Sequence, residues 1–188
     1  AGPPANLSEQ SYPGALATTL GGPDFLARQR LDGRIGERKI HGEAVVQKQG
    51  EALTLIGLTP FGTKAFVAQQ RGGEVTSQVM APEGKLPFPP RFMLLDVKRV
   101  LYLGLPGAPL ADGTHSGAVG EERVTEVWQG AALLERRFSR ADGKPAGEIV
   151  VTFEGGMREG RLPDRVRLVN GWFGYSIAID TVQWHLED

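Results

Sequence analysis

From Asp24 onward the chain alternates apolar and polar residues with a period of two, the spacing of strands whose faces meet different surroundings. Five such runs come first: Phe25–Ile35, Ile40–Lys48, Ala52–Leu58, Lys64–Gln70 and Glu74–Met80. Turn residues separate them, as in Gln49-Gly50, Pro60-Phe61-Gly62 and Arg71-Gly72-Gly73. Links this short require antiparallel neighbours, because a parallel pair needs a crossover of about a dozen residues or more. The pattern predicts a meander.

Pro82 to Pro90 interrupts the alternation, and the spacing predicts a helix over Arg91–Leu103. Pro90 suits the first helical position and Gly104 the stop. Met93, Val97, Val100 and Leu101 form one helical stripe, and Phe92, Leu94, Leu95 and Leu103 widen it beyond an ordinary amphipathic face. Lys98, Arg99 and Tyr102 are expected to keep a narrow polar edge. A helix this apolar must be covered on most sides.

Leu105–Gly120 reads as a Gly/Pro/Ala loop, after which strands resume at Arg123–Gln129, Ala132–Arg140, Glu148–Glu154, Asp164–Asn170 and Tyr175–Leu186. In the last run Tyr175, Ile177 and Ile179 share one phase while Val182, Trp184 and Leu186 share the other, which predicts a bulge near Asp180-Thr181. Several strands are apolar on both faces, such as Leu53 and Leu55 against Ile56 and Leu58. The expected fold is mainly β: a strongly curved, half-open antiparallel β-barrel of about ten or eleven strands wrapped around one main helix. Where the helix leaves the concave side unfilled, an apolar cavity remains.

Residues 1–23 are rich in glycine and proline and read as a flexible tether or loosely docked arm, with one helical turn around Leu16–Leu20. Residues 24–188 form the single domain. The chain's 188 residues suffice for a core without disulfides or metals. The chain has no cysteine, which removes thiol nucleophiles, cysteine-ligated zinc and iron–sulfur clusters. A net charge of −1 offers no electrostatic grip on nucleic acid. No stretch is long and apolar enough for a membrane-spanning helix, and Ala1-Gly2-Pro3-Pro4 does not read as a signal peptide.

Leu53–Thr63 (LTLIGLTPFGT), Leu86-Pro87-Phe88-Pro89, a helix running into Leu103-Gly104-Leu105-Pro106-Gly107, and Leu162-Pro163 before the last strands occur in an order that resembles LolB-like bacterial outer-membrane lipoproteins. The resemblance covers roughly residues 25–186 and is nearest to an uncharacterised branch of that group. It implies a LolA/LolB-like half-barrel with a hydrophobic cavity for acyl chains or lipid-linked cargo, transferred from a periplasmic LolA-like carrier. It further implies a periplasm-facing protein, held in the inner leaflet of the outer membrane by a lipidated cysteine upstream of Ala1. The alternative is an enzyme or accessory protein that uses the cavity for a hydrophobic small molecule, such as a lipid-linked aryl polyene.

Candidate cavity residues are Leu55, Phe88, Phe92, Met93, Leu95, Val97 and Leu101, which serve equally well as plain core. In the resemblance, Phe61 matches an apolar hairpin tip that helps deliver cargo to the membrane. It either wedges into a membrane or cargo, or folds back over the cavity rim. Trp172 and Phe173, bracketed by Gly171 and Gly174, read either as a second apolar tip or as ordinary packing under a neighbouring loop. Acyl chains suit such a site, because each buried methylene contributes about 0.8 kcal/mol without a directional partner.

Catalytic and cofactor signals are absent from the sequence. His41, His115 and His185 lack metal-ligand spacing. Gly57–Lys64 has its Thr-Lys in the wrong order for a phosphate loop, and no helix follows. Gly174-Tyr175-Ser176-Ile177-Ala178 lies inside a predicted strand, not at a strand-to-helix turn. The stretch Arg136-Arg137-Phe138-Ser139-Arg140 and the pair Arg165/Arg167 read first as solvated strand faces.

Overall fold

The computed structural model describes residues 12–14, 20–82, 86 and 89–187. Phe88 and most of the helical turn expected around Leu16–Leu20 lie outside the described residues. Eleven strands and one helix follow in chain order: β1 (Phe25–Ile35), β2 (Arg38–Gln49), β3 (Ala52–Leu58), β4 (Lys64–Arg71), β5 (Glu74–Val79), α1 (Pro90–Leu101), β6 (Gly113–Val119), β7 (Glu122–Gln129), β8 (Ala132–Arg140), β9 (Glu148–Met157), β10 (Arg165–Asn170) and β11 (Tyr175–Leu186). All strands belong to one antiparallel sheet in the order β5-β4-β3-β2-β1-β11-β10-β9-β8-β7-β6. Two meanders are thus fused where β1 pairs β11, and the sheet curls without closing, since β5 and β6 remain its two edges. The fold is the mainly β half-barrel around one helix that the patterning predicts.

The expected bulge sits at Val182: Arg28 pairs Gln183, Gln29 pairs Thr181, and Val182 is the extra residue. The strand β6 corrects the reading of 105–120 as loop throughout. Its sequence GTHSGAV carries no apolar alternation, and it pairs on one side only, with β7. An edge strand has one neighbour to satisfy and little core to face, so its residues need not betray it.

Antiparallel alternation fixes which turns share an end of the sheet. The β1–β2, β6–β7 and β10–β11 turns lie at one end together with the β3–β4 turn, whereas the β2–β3, β7–β8 and β9–β10 connections lie at the other. Helix α1 starts after β5 and packs against β3, β4, β5 and β10. It divides the interior in two. Phe92, Leu95 and Val100 join a cluster with inward residues of β7–β11, including Val124, Phe138, Val151 and Leu168. Leu94 and Val97 join another with Ala27, Val46, Leu53, Leu55 and Phe66 from β1–β4. Met93 and Leu101 pack against both.

The helix has no solvated polar edge. Asp96, Lys98 and Arg99 are buried, Arg99 with 0% of its surface exposed. Curling brings the sheet over that face as well, so each charge needs an internal partner. Arg99 donates from Nη1 to Glu122 Oε1 at 2.6 Å and from Nη2 to the Pro13 carbonyl at 2.8 Å. Its guanidinium also lies over the rings of Phe138, Trp172 and Tyr12, at 4.6, 4.7 and 5.2 Å from their centroids. Tyr12 and Pro13 are therefore held against the core at this point: Tyr12 is buried, and its ring meets Phe92 and Phe173 edge-on or tilted.

Arg136 is buried too, against its expectation as part of a solvated stretch. It pairs with Glu126 at 2.7 Å through Nε and donates from Nη1 to the carbonyls of Arg99 and Val100 at 2.8 and 3.0 Å. Those carbonyls belong to the last turn of α1, whose acceptors have no partners within the helix. A strand side chain caps the helix. Arg165, by contrast, is on the solvated face as expected, 3.7 Å from Glu154 and 3.6 Å from Asp180.

Candidate functional site

Where α1 ends, the interior is not filled. Tyr102 leaves helical geometry, and Gly104 and Leu105 turn the chain away beneath Arg136 and Glu126. A cavity of about 310 Å³ opens there, between the helix end, the β9–β10 loop and the paired ends of β1 and β11. Its apolar wall includes Phe25, Leu101, Trp128, Leu162, Trp184 and Leu186. Arg136, Arg158, Glu159 and Arg161 supply its charged groups. The arm reaches it through Gly21 and Pro23.

Strand phase explains the lining. Phe25 pairs Leu186 and Ala27 pairs Trp184, which sets Trp184 and Leu186 on the inward face beyond the bulge at Val182. Without that extra residue the phase would turn both outward. Trp128 follows Val124 and Glu126 inward along β7, and its Nε1 donates to Glu126 Oε1 at 3.1 Å. Glu126 thus accepts from Trp128 and Arg136 together, which holds the indole against the cavity.

Of the residues expected to line a cavity, Leu101 does so. Leu55, Phe92, Leu95 and Val97 are instead buried core, because sheet and helix faces meet directly over the first three turns of α1. Met93 is half-buried between the two clusters. Sequence reasoning missed Trp128, Leu162, Trp184 and Leu186 as lining, and Arg136 as its inner charge. A signal was present: Glu126 sits in the apolar phase of β7 and Arg136 in that of β8, one facing the other across the hairpin.

The two expected tips separate. Phe61 is 92% exposed at the β3–β4 turn and does not fold back over any rim. Thr59 builds that turn: its Oγ1 accepts from the amides of Phe61 and Thr63, and its carbonyl accepts from Gly62 at 2.9 Å. Gly62 takes a φ of 81°, open to glycine at little cost. Trp172 and Phe173 correct their expectation as an exposed tip, each being only 8% exposed. Asn170 Oδ1 accepts from both of their amides, turning the loop inward, and Trp172 Nε1 donates to the Gly147 carbonyl at 3.0 Å. Their rings serve Arg99, Tyr12 and Phe92.

A second polar cluster surrounds Asp96. Tyr12 and Tyr175 donate to its two carboxylate oxygens at 2.6 and 2.5 Å, Asn170 donates to Tyr175 at 3.1 Å, and Arg99 Nε donates to Tyr12 at 3.0 Å. Burial pushes the Asp96 carboxyl up to about 6 despite those donors. None of these residues lines the cavity. Their arrangement ties Tyr12, the helix and the β10–β11 turn together. Among the described residues no cluster of three or more His, Asp or Glu side chains could hold a metal ion, and no helix is long and apolar enough to cross a membrane.

No curated protein sequence matches the chain. Among solved structures it is similar to a LolA superfamily protein from Nitrosomonas europaea, with 13% identity over 91% of this chain and 89% of that one and a TM-score of 0.48. It is also similar to a DUF1329 family protein from Desulfovibrio piger, with 11% identity, 91% and 87% covered and a TM-score of 0.49. A family model described as a protein of unknown function, DUF3261, matches residues 26–183, nearly the whole sheet and the helix within it, and the chain belongs to that family.

Proposed function

We propose that this protein binds an acyl chain or lipid-linked cargo in the cavity at the C-terminal end of α1. The observation that carries the reading is the cavity itself. About 310 Å³ is lined by Phe25, Leu101, Trp128, Leu162, Trp184 and Leu186, beside two packed clusters that flank the helix. An apolar lining with few polar groups selects by buried area, and each methylene taken from water contributes about 0.8 kcal/mol. The likeness to LolB-like sequences, stated above, supports placing the protein at the bacterial outer membrane, facing the periplasm, with the N-terminal arm as its link to a lipid anchor. A periplasmic LolA-like carrier is then the natural donor of cargo. Phe61 supports the same reading, since a rigid turn holds a large apolar side chain in solvent.

Native mass spectrometry of protein purified from a membrane fraction tests the reading directly. A bound lipid that is lost in a Leu101→Trp or Leu162→Trp variant, where an indole fills the cavity, is the expected result. Protein free of lipid from that source, together with no change in Trp128 and Trp184 fluorescence on addition of a monoacylglycerol, would overturn it.

A further inference from the structure

The cavity's charged groups are unequal: three arginines, Arg136, Arg158 and Arg161, stand against one acid, Glu159. Arg136 is neutralised by Glu126 behind it. The other two are not compensated in this way. Arg158 donates from Nη1 to the Gly130 carbonyl at 2.6 Å, a bond that fixes the side chain without cancelling its charge. Among the described residues no carboxylate comes within ion-pair distance of Arg158. Arg161 meets Asp164 at 3.7 Å, with both side chains largely exposed, a pairing that contributes little in water.

Arg158, Arg161 and Leu162 also line a second cavity of about 220 Å³, shared with Glu154, Gly155, Gly156, Pro163 and Asp164. The β9–β10 loop is therefore a partition. Its Leu162 closes the apolar cavity, and its two arginines stand where that cavity meets a polar one. Glu154 is drawn toward Arg165 at 3.7 Å, and Asp164 toward Arg161. Arginine is the residue suited to this position, because its planar, weakly hydrated fork matches a carboxylate or phosphate.

We propose that Arg158 and Arg161 hold the anionic head of a single-chain amphiphile whose chain occupies the cavity beside Leu101, Trp128 and Trp184. This rests on the acyl-chain reading above and narrows it to one ligand class. The single chain follows from size: about 310 Å³ lies near the lower end of small-molecule pockets, which span roughly 300–1,000 Å³. A head that is carboxylate or phosphate satisfies the same two arginines.

The test is a fluorescence titration of the full chain, through Trp128 and Trp184, with four probes below their micelle concentrations. These are palmitate, a lysophosphatidylglycerol, the uncharged monoacylglycerol of equal chain length, and inorganic phosphate. Both anionic amphiphiles should bind about tenfold tighter than the monoacylglycerol at low salt, as expected for a charge-assisted contact. Arg158→Gln combined with Arg161→Gln should erase that preference by weakening both anionic amphiphiles far more than the monoacylglycerol; Arg161→Gln alone should reduce it. Equal affinity for charged and uncharged chains, or a preference that survives in the folded double variant, overturns the proposal and leaves the acyl-chain reading standing. Inorganic phosphate that binds at the two arginines yet leaves the affinities of palmitate and the lysophospholipid unchanged also overturns it, by assigning the arginines to a free anion. Failure of every chain-bearing probe, monoacylglycerol included, overturns both.

Discussion

A Cβ at Gly104 would fall 2.4 Å from Nη2 of Arg136, and 2.8 Å from Oε2 of Glu126. The Leu-Gly-Leu-Pro-Gly stretch is thus explained at its first glycine by closeness of approach: the chain leaves α1 against an ion pair that itself caps the helix. Gly104→Ala should push the guanidinium off the Arg99 and Val100 carbonyls and cost about 1–3 kcal/mol, the usual range for overpacking. Urea unfolding of the two proteins checks this. A variant as stable as the wild type would mean that the pair can move without loss.

The Arg136–Glu126 pair makes a separate prediction. Removing one partner of a buried pair leaves an uncompensated charge, so Glu126→Gln should cost about 3–5 kcal/mol. Replacing both, as Glu126→Leu with Arg136→Met, should recover only part of that loss. The recovered part is the charge burial; the unrecovered part is the cap on Arg99 and Val100 together with the acceptor for Trp128 Nε1, neither of which the apolar pair can supply. Full recovery in denaturant melts would show that neither contributes.

Asp96 makes stability depend on pH. Burial raises its pKa from 3.8 to about 6, against the hydrogen bonds from Tyr12, Tyr175 and Asn170 and the charge of Arg99. Between those two values the folded chain holds a proton that the unfolded chain has released, so this residue's contribution to stability falls as pH rises through the window. The difference of about two pH units corresponds to about 3 kcal/mol. Asp96→Asn removes the titration. Relative to that variant, the wild type should lose about 2–3 kcal/mol between pH 4 and pH 7. Parallel stability profiles for the two proteins would refute the raised value.

Phe61 should be dispensable for folding and needed at a surface. Its side chain is 92% exposed, so Phe61→Glu should change stability by less than about 0.5 kcal/mol. Co-sedimentation with phospholipid vesicles should nonetheless fall severalfold. Because the β3–β4 turn and the cavity lie at opposite ends of the sheet, the same variant should bind soluble acyl probes as the wild type does. Unchanged vesicle binding would remove Phe61 from any membrane role.

The residues that could be read from the sequence share a physical trait. Period-two alternation in β1–β4 and β7–β11 reports a sheet with one buried face, and the phase change before Trp184 reports the bulge. Both are local consequences of side chains pointing to alternate sides of a strand. In β6 this signal fails because an edge strand of glycine, serine and threonine has almost no buried face to encode. The helix was legible as helix, but its buried Asp96, Lys98 and Arg99 were not. Their burial depends on how far the sheet curls, and on Tyr12, some 84 residues away in the chain from Asp96.

What the sequence by itself determined is the class of fold: antiparallel strands joined by tight turns, one helix too apolar to stand uncovered, and a composition without thiols or a basic surface. Which apolar residues are core and which line empty space was decided only in three dimensions. Phe92 and Leu101 are alike in chemistry and share one helix, yet the first is packed by Tyr12 and Phe173 while the second faces the cavity. Trp172 and Phe61, both placed in glycine-containing turns, differ for the same reason. Asn170 and Arg99 draw one inward, whereas Thr59 closes a turn that leaves the other in water. Hydrophobicity specifies that a side chain should leave water, but only the placement of distant partners decides whether there is anything for it to pack against.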